Sequence, residues 1–148
     1  MVTYHNGDLL DSDCEYICHQ CNLQSIFGGG IAYQIFKRYN KIQDYCMRFN
    51  NKLGDYVLYS PNSKVTVVNC YTQTEDFETE YNSLKRCFNN FKEELKQKHI
   101  NNNCIKVGIP YKYGCGIANG DWNKVEMIFK EIFENEELID FQIWKFEK

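Results

Sequence analysis

Two glycine-rich segments carry the residues best suited to hold an anionic ligand. The first has the sequence FGGGIA over residues 27–32, and the second has the sequence YGCGIANGDW over residues 113–122. Each follows an apolar run typical of a strand and precedes an amphipathic pattern typical of a helix. Glycine lets a backbone approach a ligand closely, and a helix N-terminus offers unpaired N–H groups and a partial positive charge. The two turns together predict a cradle for a phosphorylated ligand, such as a diphosphate.

The first turn, residues 28–30, has two interpretations when it is considered alone. Its amides can point at an anion because a helix follows, or its small residues can simply permit close packing at the helix entry. No Gly-Lys-Ser/Thr follows, so the turn is not a P-loop, and its spacing differs from the GxGxxG of dinucleotide-binding proteins.

The second segment ends in Asp121, directly before the helix predicted to begin at Trp122. A carboxylate at this position can cap the helix by accepting a hydrogen bond from its first N–H groups. It can also act on a ligand held by the glycine turn. Asp121 is therefore both a candidate cap and a candidate catalytic residue.

Residues 18–21, with the sequence Cys-His-Gln-Cys, suggest metal or thiol chemistry. A structural zinc site needs four ligands at suitable spacing, and the chain has no second CxxC and no HxxxH. We therefore predict no metal and no cofactor. His19, at the end of a predicted strand, is instead a candidate for ligand contact or acid–base catalysis; the alternative is a hydrogen-bonded histidine without chemistry.

Three further side chains have types that suit a nucleotide. The amide of Asn22 can bind sugar hydroxyls as donor and as acceptor. Asp8, just after the first predicted strand, can accept from an adenine amino group or close a turn. Trp144, on the last predicted strand, can stack on a base or fill the core.

The elements that must position these residues alternate between strands and helices, which predicts an α/β domain with a mainly parallel sheet. Ligands bind such sheets at the carboxyl ends of the strands, where both glycine turns fall. A polar loop is predicted at residues 101–103. Pro110 is predicted to stop the strand that spans residues 104–109. The predicted strands are 2–5, 16–19, 55–59, 65–68, 104–109 and 141–144, and the apolar stripes of the predicted helices span 31–39, 81–95 and 122–132.

Composition bounds the class of protein. The 148 residues, 43% hydrophobic and 16% aromatic, predict one globular domain over residues 1–148. A net charge of −3 without a basic patch argues against binding of duplex nucleic acid, although not against a small anion. No apolar run approaches the roughly 18 residues of a membrane span, and no signal peptide is recognisable. We expect an intracellular, cytoplasmic monomer, or a nuclear one in a eukaryote, whose eight cysteines are reduced.

In order and spacing, several motifs are those of a known family. They are Gly-Asp-Leu at 7–9, His-Gln-Cys-Asn at 19–22, GGGIAYQ at 28–34 and IPYKYGCGIANGDW at 109–122. Across essentially its whole length the chain resembles a macrodomain, the ADP-ribose-binding module, and it looks most similar to small ADP-ribose 1″-phosphate phosphatase-like proteins. The resemblance implies a three-layer α/β/α fold with a mixed, mainly parallel central sheet.

The resemblance also implies a role for each segment. Asp8 would bind the adenine amino group with Leu9 beside it, and Trp144 would place an aromatic ring against the adenine. Asn22 would bind the distal ribose. The first phosphate loop would comprise Gly28, Gly29, Gly30 and Ile31. The second, around the diphosphate and distal ribose, would comprise Gly114, Cys115, Gly116, Ile117, Ala118, Asn119 and Gly120.

Two departures from better-studied branches bear on the chemistry. His19 replaces the first Asn of the family's NAAN-like segment. The Lys and Asp with which a related branch removes ADP-ribose from glutamate are absent in register, where this chain has residues 69–71 and Ala118. This argues against a covalent lysyl route.

The implied function is hydrolysis of an ADP-ribose derivative. The substrate would be ADP-ribose 1″-phosphate, and the catalytic candidates are His19 and Asp121. The alternatives are a non-catalytic reader of ADP-ribose or ADP-ribosylated macromolecules, a de-ADP-ribosylating hydrolase, and a cysteine-based metal or redox protein. The expected partners are ADP-ribose, ADP-ribose 1″-phosphate and ADP-ribosylated protein, without a membrane.

Overall fold

A computed structural model describes residues 1–99, 104–116 and 118–146 of the chain. Strands and helices alternate along it, as the sequence pattern predicts. A short 3₁₀ turn, Leu9–Asp11, follows the first strand. The elements are β1 (Val2–Asn6), β2 (Tyr16–Gln20), α1 (Gly30–Arg38), α2 (Ile42–Cys46), β3 (Tyr56–Tyr59), β4 (Thr66–Cys70), α3 (Tyr81–Lys98), β5 (Ile105–Pro110), α4 (Trp122–Phe133) and β6 (Ile139–Lys145).

The six strands form one sheet in the order β1-β6-β5-β2-β4-β3. Every neighbouring pair is parallel except β3 and β4, which are antiparallel. The mixed, mainly parallel sheet is therefore confirmed. Because five of the strands share one direction, their carboxyl ends meet at one edge, and that edge is where a ligand site is expected.

Helices cover both faces of the sheet and complete the three predicted layers. On one face, α3 and α4 bury an aromatic stripe that includes Phe88, Phe91 and Phe129 against the strands. On the other face, α1 and α2 pack over β3 and β4 through Ile35 and Ile42. Apart from Ile42, these apolar positions lie in the predicted helical stripes, so their packing is the one that the sequence pattern predicts.

The structure differs from the predicted elements at two points. Pro110 is the last residue of β5 rather than a stop before its end. The N–H of Tyr111 donates to Trp144 O on β6. Because the N–H groups of successive strand residues point to opposite sides, the backbone nitrogen of Pro110 faces β2, whose pairing with β5 ends at Gly108. A missing N–H costs nothing there. The five-residue α2 was not predicted, and the loop predicted at 101–103 lies outside the described residues.

The cysteines behave as small apolar residues. All eight thiols are free, and six of them are buried.

Among the helices of the described ranges, none combines the length and apolar character that a membrane crossing requires.

Candidate ligand-binding cleft

Two cavities open at the edge where the parallel strands end. The larger has a volume of about 660 Å³ and the smaller about 410 Å³. Ile31 lines the larger cavity, whereas Gly28 and Gly29 line the smaller one, so the start of α1 lies between them. The larger is lined by Gly7, Asp8, Leu9, Leu10, Ile31, Gln34, Lys37, Arg38, Pro110, Trp144 and Phe146. The smaller is lined by Gln20, Cys21, Asn22, Gln24, Ser25, Ile26, Phe27, Gly28, Gly29, Ala32, Gln73 and Phe77.

Asp8 lies at the larger cavity and holds the turn that follows β1. Its side chain caps the 3₁₀ turn, because Oδ1 accepts a hydrogen bond of 2.9 Å from the N–H of Leu10. Leu9 is buried beneath it. Arg38, at the end of α1, donates to Leu10 O and pairs with Asp11. The turn that presents the Asp8 carboxylate is thus anchored to the helix on the opposite wall.

Trp144 lines the same cavity with its indole held by polar contacts. Its ring stacks on His5 with centroids 4.9 Å apart. Its Nε1–H donates to Gln142 Oε1 at 2.9 Å, and Gln142 Nε2–H donates to Asp140 Oδ2 at 2.7 Å. The edge of the indole also lies against Gly7, where an added Cβ would come within 3.3 Å of Trp144 Cζ3. The aromatic wall of the cavity is therefore positioned before any ligand enters.

The first glycine turn presents open backbone between the two cavities. Gly29 is the N-cap of α1 and makes no side-chain capping bond. A Cβ added at Gly29 or Gly30 would meet no atom within 4 Å, and Gly30 has a φ of +57°. The three glycines are exposed and no side chain caps the helix, so the first N–H groups of α1 have no capping side chain as a partner. This geometry favours the ligand-facing interpretation over close packing.

The second glycine loop is closed on itself. The N–H of Gly120 donates to Gly114 O at 2.9 Å, and a Cβ on Gly120 would lie 2.5 Å from that oxygen. Gly114 has a φ of +73°, which favours glycine. Thr79 braces the loop, because its Oγ1–H donates to Gly114 O at 2.6 Å and its N–H donates to Ala118 O at 3.2 Å.

The described part of this loop does not line either cavity. Ile117 lies outside the described residues. The wrapping of a diphosphate by Gly114, Cys115, Gly116, Ala118, Asn119 and Gly120 stays a prediction.

Gln20 connects the end of β2 to Thr79, which braces the second glycine loop. Its Nε2 donates to Thr72 O at 3.1 Å, to Thr72 Oγ1 at 3.0 Å and to Thr79 Oγ1 at 3.3 Å. It lines the smaller cavity as well. Sequence reasoning missed Gln20, since a polar residue that ends a strand has no distinguishing pattern, and its partners Thr72 and Thr79 lie 52 and 59 residues further along the chain.

The expectation for His19 needs correction. The side chain is fully buried, its Nε2 lies 2.8 Å from Asn69 Oδ1, and its ring lies 5.4 Å from that of Phe27. Burial lowers its pKa to about 4, so the imidazole is neutral at physiological pH. His19 lines neither cavity, and Phe27 and Cys21, which lie against its ring, line the smaller cavity in its place. It has the surroundings of a structural histidine.

Asn22 lies at the smaller cavity and closes a turn. Its Oδ1 accepts from the N–H of Ile26 at 3.0 Å, and its Nδ2 donates to Ile26 O at 2.9 Å. An amide has two donor hydrogens and two acceptor lone pairs. One of each is used in the turn, and the others remain for a ligand.

Asp121 is the N-cap of α4, as predicted. Its Oδ1 accepts from the N–H of Asn123 at 3.0 Å, and its own N–H donates to the hydroxyl of Tyr81 at 2.9 Å. The side chain is exposed and does not line either cavity. The cap is confirmed, whereas the catalytic role of Asp121 stays a prediction.

The smaller cavity is lined by amides, backbone, apolar groups, the hydroxyl of Ser25 and the thiol of Cys21. Its described lining contains no carboxylate, ammonium or imidazole. Its one ionisable side chain is that of Cys21, and burial raises the pKa of that thiol well above its usual value. Within the described ranges there is no group of three or more His, Cys, Asp or Glu side chains that could hold a metal ion.

Several lining residues had no place in the sequence-based site. Those on α1 follow Ile31 at helical spacing, so a search along one helix face behind the glycine turn could have found them. Phe77 and Gln73 come from a turn with no recognisable motif. Among these residues are Gln34, Lys37, Arg38, Phe146, Gln24, Ile26, Gln73 and Phe77.

No protein-family model matches the chain. The chain is 30% identical over 139 residues to the uncharacterized 17.5 kDa protein in the tk-vs intergenic region of Enterobacteria phage T4, covering 86% of this chain and 87% of that protein. It is 34% identical over 83 residues to ADP-ribose 1″-phosphate phosphatase of Saccharomyces cerevisiae strain YJM789, covering 51% of this chain and 47% of that protein. It is 23% identical over 138 residues to ADP-ribose glycohydrolase OARD1 of Bos taurus, covering 90% and 84%.

Solved structures share the fold. The macrodomain of Mycobacterium tuberculosis DarG superposes with a TM-score of 0.83 at 22% identity, covering 97% of both chains. Thermosipho africanus DarTG, solved in complex with ADP-ribose, superposes with a TM-score of 0.75 at 19% identity, covering 94% of this chain and 40% of that one. At these identities the likeness shows the three-layer architecture.

Proposed function

Because the chain belongs to the macrodomain family, we propose that it binds ADP-ribose across the two cavities and hydrolyses a derivative of it at the distal ribose. The adenine enters the larger cavity between Asp8 and Trp144, and the distal ribose enters the smaller one beside Asn22. The diphosphate crosses the uncapped start of α1. The position of this helix start between the two cavities is the observation that carries the proposal, because it puts N–H groups where the negative charge would lie.

The proposed substrate is ADP-ribose 1″-phosphate. The name of the yeast relative supports this choice, as do glycine-rich backbones that can hold phosphate without a cation. In the reaction, water attacks phosphorus, the bond between phosphorus and the 1″ oxygen breaks, and that oxygen takes a proton. The products are ADP-ribose and inorganic phosphate.

The protein's contribution would be orientation and a single carboxylate. Binding of the adenosine diphosphate positions the 1″ group, and backbone N–H groups stabilise charge on the phosphoryl oxygens. Asp121 lines neither cavity, and its assignment rests on its place directly after the second glycine loop. It keeps Oδ1 in its helix cap, and we assign to Oδ2 the orientation of a water that attacks phosphorus held by that loop. We give His19 no part in the reaction, since its side chain is fully buried and lines neither cavity.

A second candidate function is that of a non-catalytic reader of ADP-ribose. It is favoured by the smaller cavity, whose described lining has no carboxylate or imidazole to serve as an acid or a base. A reader needs the adenosine and diphosphate contacts but no proton transfer.

One experiment separates these outcomes. Calorimetry with ADP-ribose measures binding, and phosphate release from ADP-ribose 1″-phosphate measures turnover, in the wild type and in Asp121→Asn. Binding with turnover that the variant loses supports the phosphatase. Binding with no turnover of the phosphate or of an ADP-ribosylated peptide supports the reader. Absence of ADP-ribose binding would overturn both.

A further inference from the structure

A short hairpin over residues 73–79 forms one rim of the smaller cavity. Gln73 and Thr79 make an antiparallel bridge, and the N–H of Thr74 donates to Glu78 O at 2.7 Å. Thr79 also braces the second glycine loop through Gly114 O. The hairpin is therefore fixed to the cleft.

The tip of the hairpin holds Phe77 in a costly conformation. Its φ is +62°, a left-handed value that an aromatic residue rarely adopts, and its side chain is 45% exposed. Phe77 lines the smaller cavity together with Ile26, which is 54% exposed. Two large apolar side chains that are exposed at the opening of a cavity, one of them on a strained backbone, indicate a contact surface.

Three carboxylates lie on the same hairpin as Phe77. Glu75, Asp76 and Glu78 flank Phe77 in the chain and are exposed. The ion pairs of the described residues use other acidic side chains, such as Asp11, Asp55 and Glu136. We call the three carboxylates with Phe77 and Ile26 the acidic rim. It differs from the larger cavity, whose lining includes Lys37 and Arg38.

We propose that the acidic rim docks a protein segment that carries ADP-ribose and has Lys or Arg beside its modified residue. The inference rests on the proposed function, because the ADP-ribose must first occupy the two cavities. The carboxylates attract the basic side chains, whose aliphatic stems pack on Phe77 and Ile26. A nucleic acid carrying ADP-ribose would bring its own phosphates against the same carboxylates, so the rim disfavours it.

The test compares two peptides of equal length, each with one ADP-ribosylated serine. One has two lysines on either side of the serine and the other has two glutamates. Stopped-flow fluorescence gives Kd for each peptide and for free ADP-ribose before products accumulate. We expect the basic peptide to bind about fivefold to tenfold more tightly than the acidic one at 150 mM salt. The difference should shrink at 1 M salt.

Charge reversal assigns the preference to the rim. In Glu75→Lys/Glu78→Lys the order of the two peptides should invert. The matched control is Glu93→Lys/Glu131→Lys, which makes the same change of net charge on exposed positions of α3 and α4 and should keep the original order. Phe77→Gly, which suits a φ of +62°, should reduce the advantage of the basic peptide over free ADP-ribose.

Equal affinities for the two peptides would overturn the inference. So would tighter binding of an ADP-ribosylated DNA oligonucleotide than of the basic peptide. If free ADP-ribose itself does not bind, the proposed function has failed, and this outcome differs from a failure of the charge preference alone.

Discussion

His19 Nε2 lies 2.8 Å from Asn69 Oδ1, at facing positions of the neighbouring strands β2 and β4. The orientation of the Asn69 amide follows from its Nδ2, which donates to Val57 O on β3 at 2.9 Å. Oδ1 is therefore the acceptor, and His19 carries its proton on Nε2. Neither side chain is exposed. The pair links three strands beneath the first glycine turn through one neutral imidazole.

This pair predicts a loss of stability in mild acid. Burial lowers the pKa of His19 from 6.5 to about 4, so below about pH 6.5 the unfolded chain binds a proton that the folded chain does not. The contribution of His19 to the free energy of unfolding is complete above pH 6.5 and falls by about 1.4 kcal/mol per pH unit towards pH 4. Urea unfolding at pH 7.5 and 5 should show the wild type losing about 2 kcal/mol more than His19→Gln. Parallel losses would contradict the prediction.

Gly120→Ala should damage the second glycine loop. Its Cβ would lie 2.5 Å from Gly114 O, and that oxygen belongs to backbone held by Thr79, so it cannot yield cheaply. We expect about 1–3 kcal/mol lower stability by urea unfolding, with weaker ADP-ribose binding by calorimetry. For stability, Gly116→Ala is the control, because its Cβ would meet nothing within 4 Å. Equal stability of the two variants would be inconsistent with this account.

Asp8→Asn should remove the negative charge of residue 8 while keeping the turn that its side chain caps. An amide oxygen can still cap the 3₁₀ turn through the N–H of Leu10, so the thermal midpoint should hardly change. Affinity for ADP-ribose should fall about tenfold as the charged acceptor for the adenine is lost. Asp44→Asn on α2 changes the net charge equally and should leave affinity unaltered. An unchanged affinity in Asp8→Asn would remove Asp8 from the adenine site.

Asp121→Asn should likewise preserve the cap of α4 while removing a carboxylate. Stability should stay within about 0.5 kcal/mol of the wild type. Phosphate release from ADP-ribose 1″-phosphate should fall by about 100-fold if Asp121 orients the water. Asp121→Ala should lose about 1 kcal/mol of stability as well. Full turnover by Asp121→Asn would leave Asp121 with its capping role alone.

The elements of the fold followed from local pattern. The stripe of Leu84, Phe88, Phe91 and Leu95 predicted α3, and every predicted strand is present within a few residues. The five-residue α2 was not predicted, because one turn of helix is too short to show a hydrophobic period. The inclusion of Pro110 in β5 was not predicted, because only the register of β5 against β2 decides whether its missing N–H would have had a partner.

Several predicted binding residues line a cavity, most of them in or beside a turn, and their contacts with a ligand stay predictions. Asp8, Leu9, Asn22, Gly28, Gly29, Ile31 and Trp144 all line the two cavities. His19 was assigned to the ligand because it ends a strand beside a glycine turn. Its burial depends on Asn69, fifty positions away, and on Phe27, which packs against its ring. Phe77 was overlooked because a hairpin tip has no motif.

The sequence by itself determined the alternation of strands and helices, the two glycine turns and the cap at Asp121, since each depends on neighbours within a few residues. Only the tertiary structure decided that the start of α1 separates two cavities, that His19 is buried and neutral, and that Phe77 lines the smaller cavity. These facts depend on which distant segments meet at the sheet edge. Strand order and register decide that, and no local pattern encodes it.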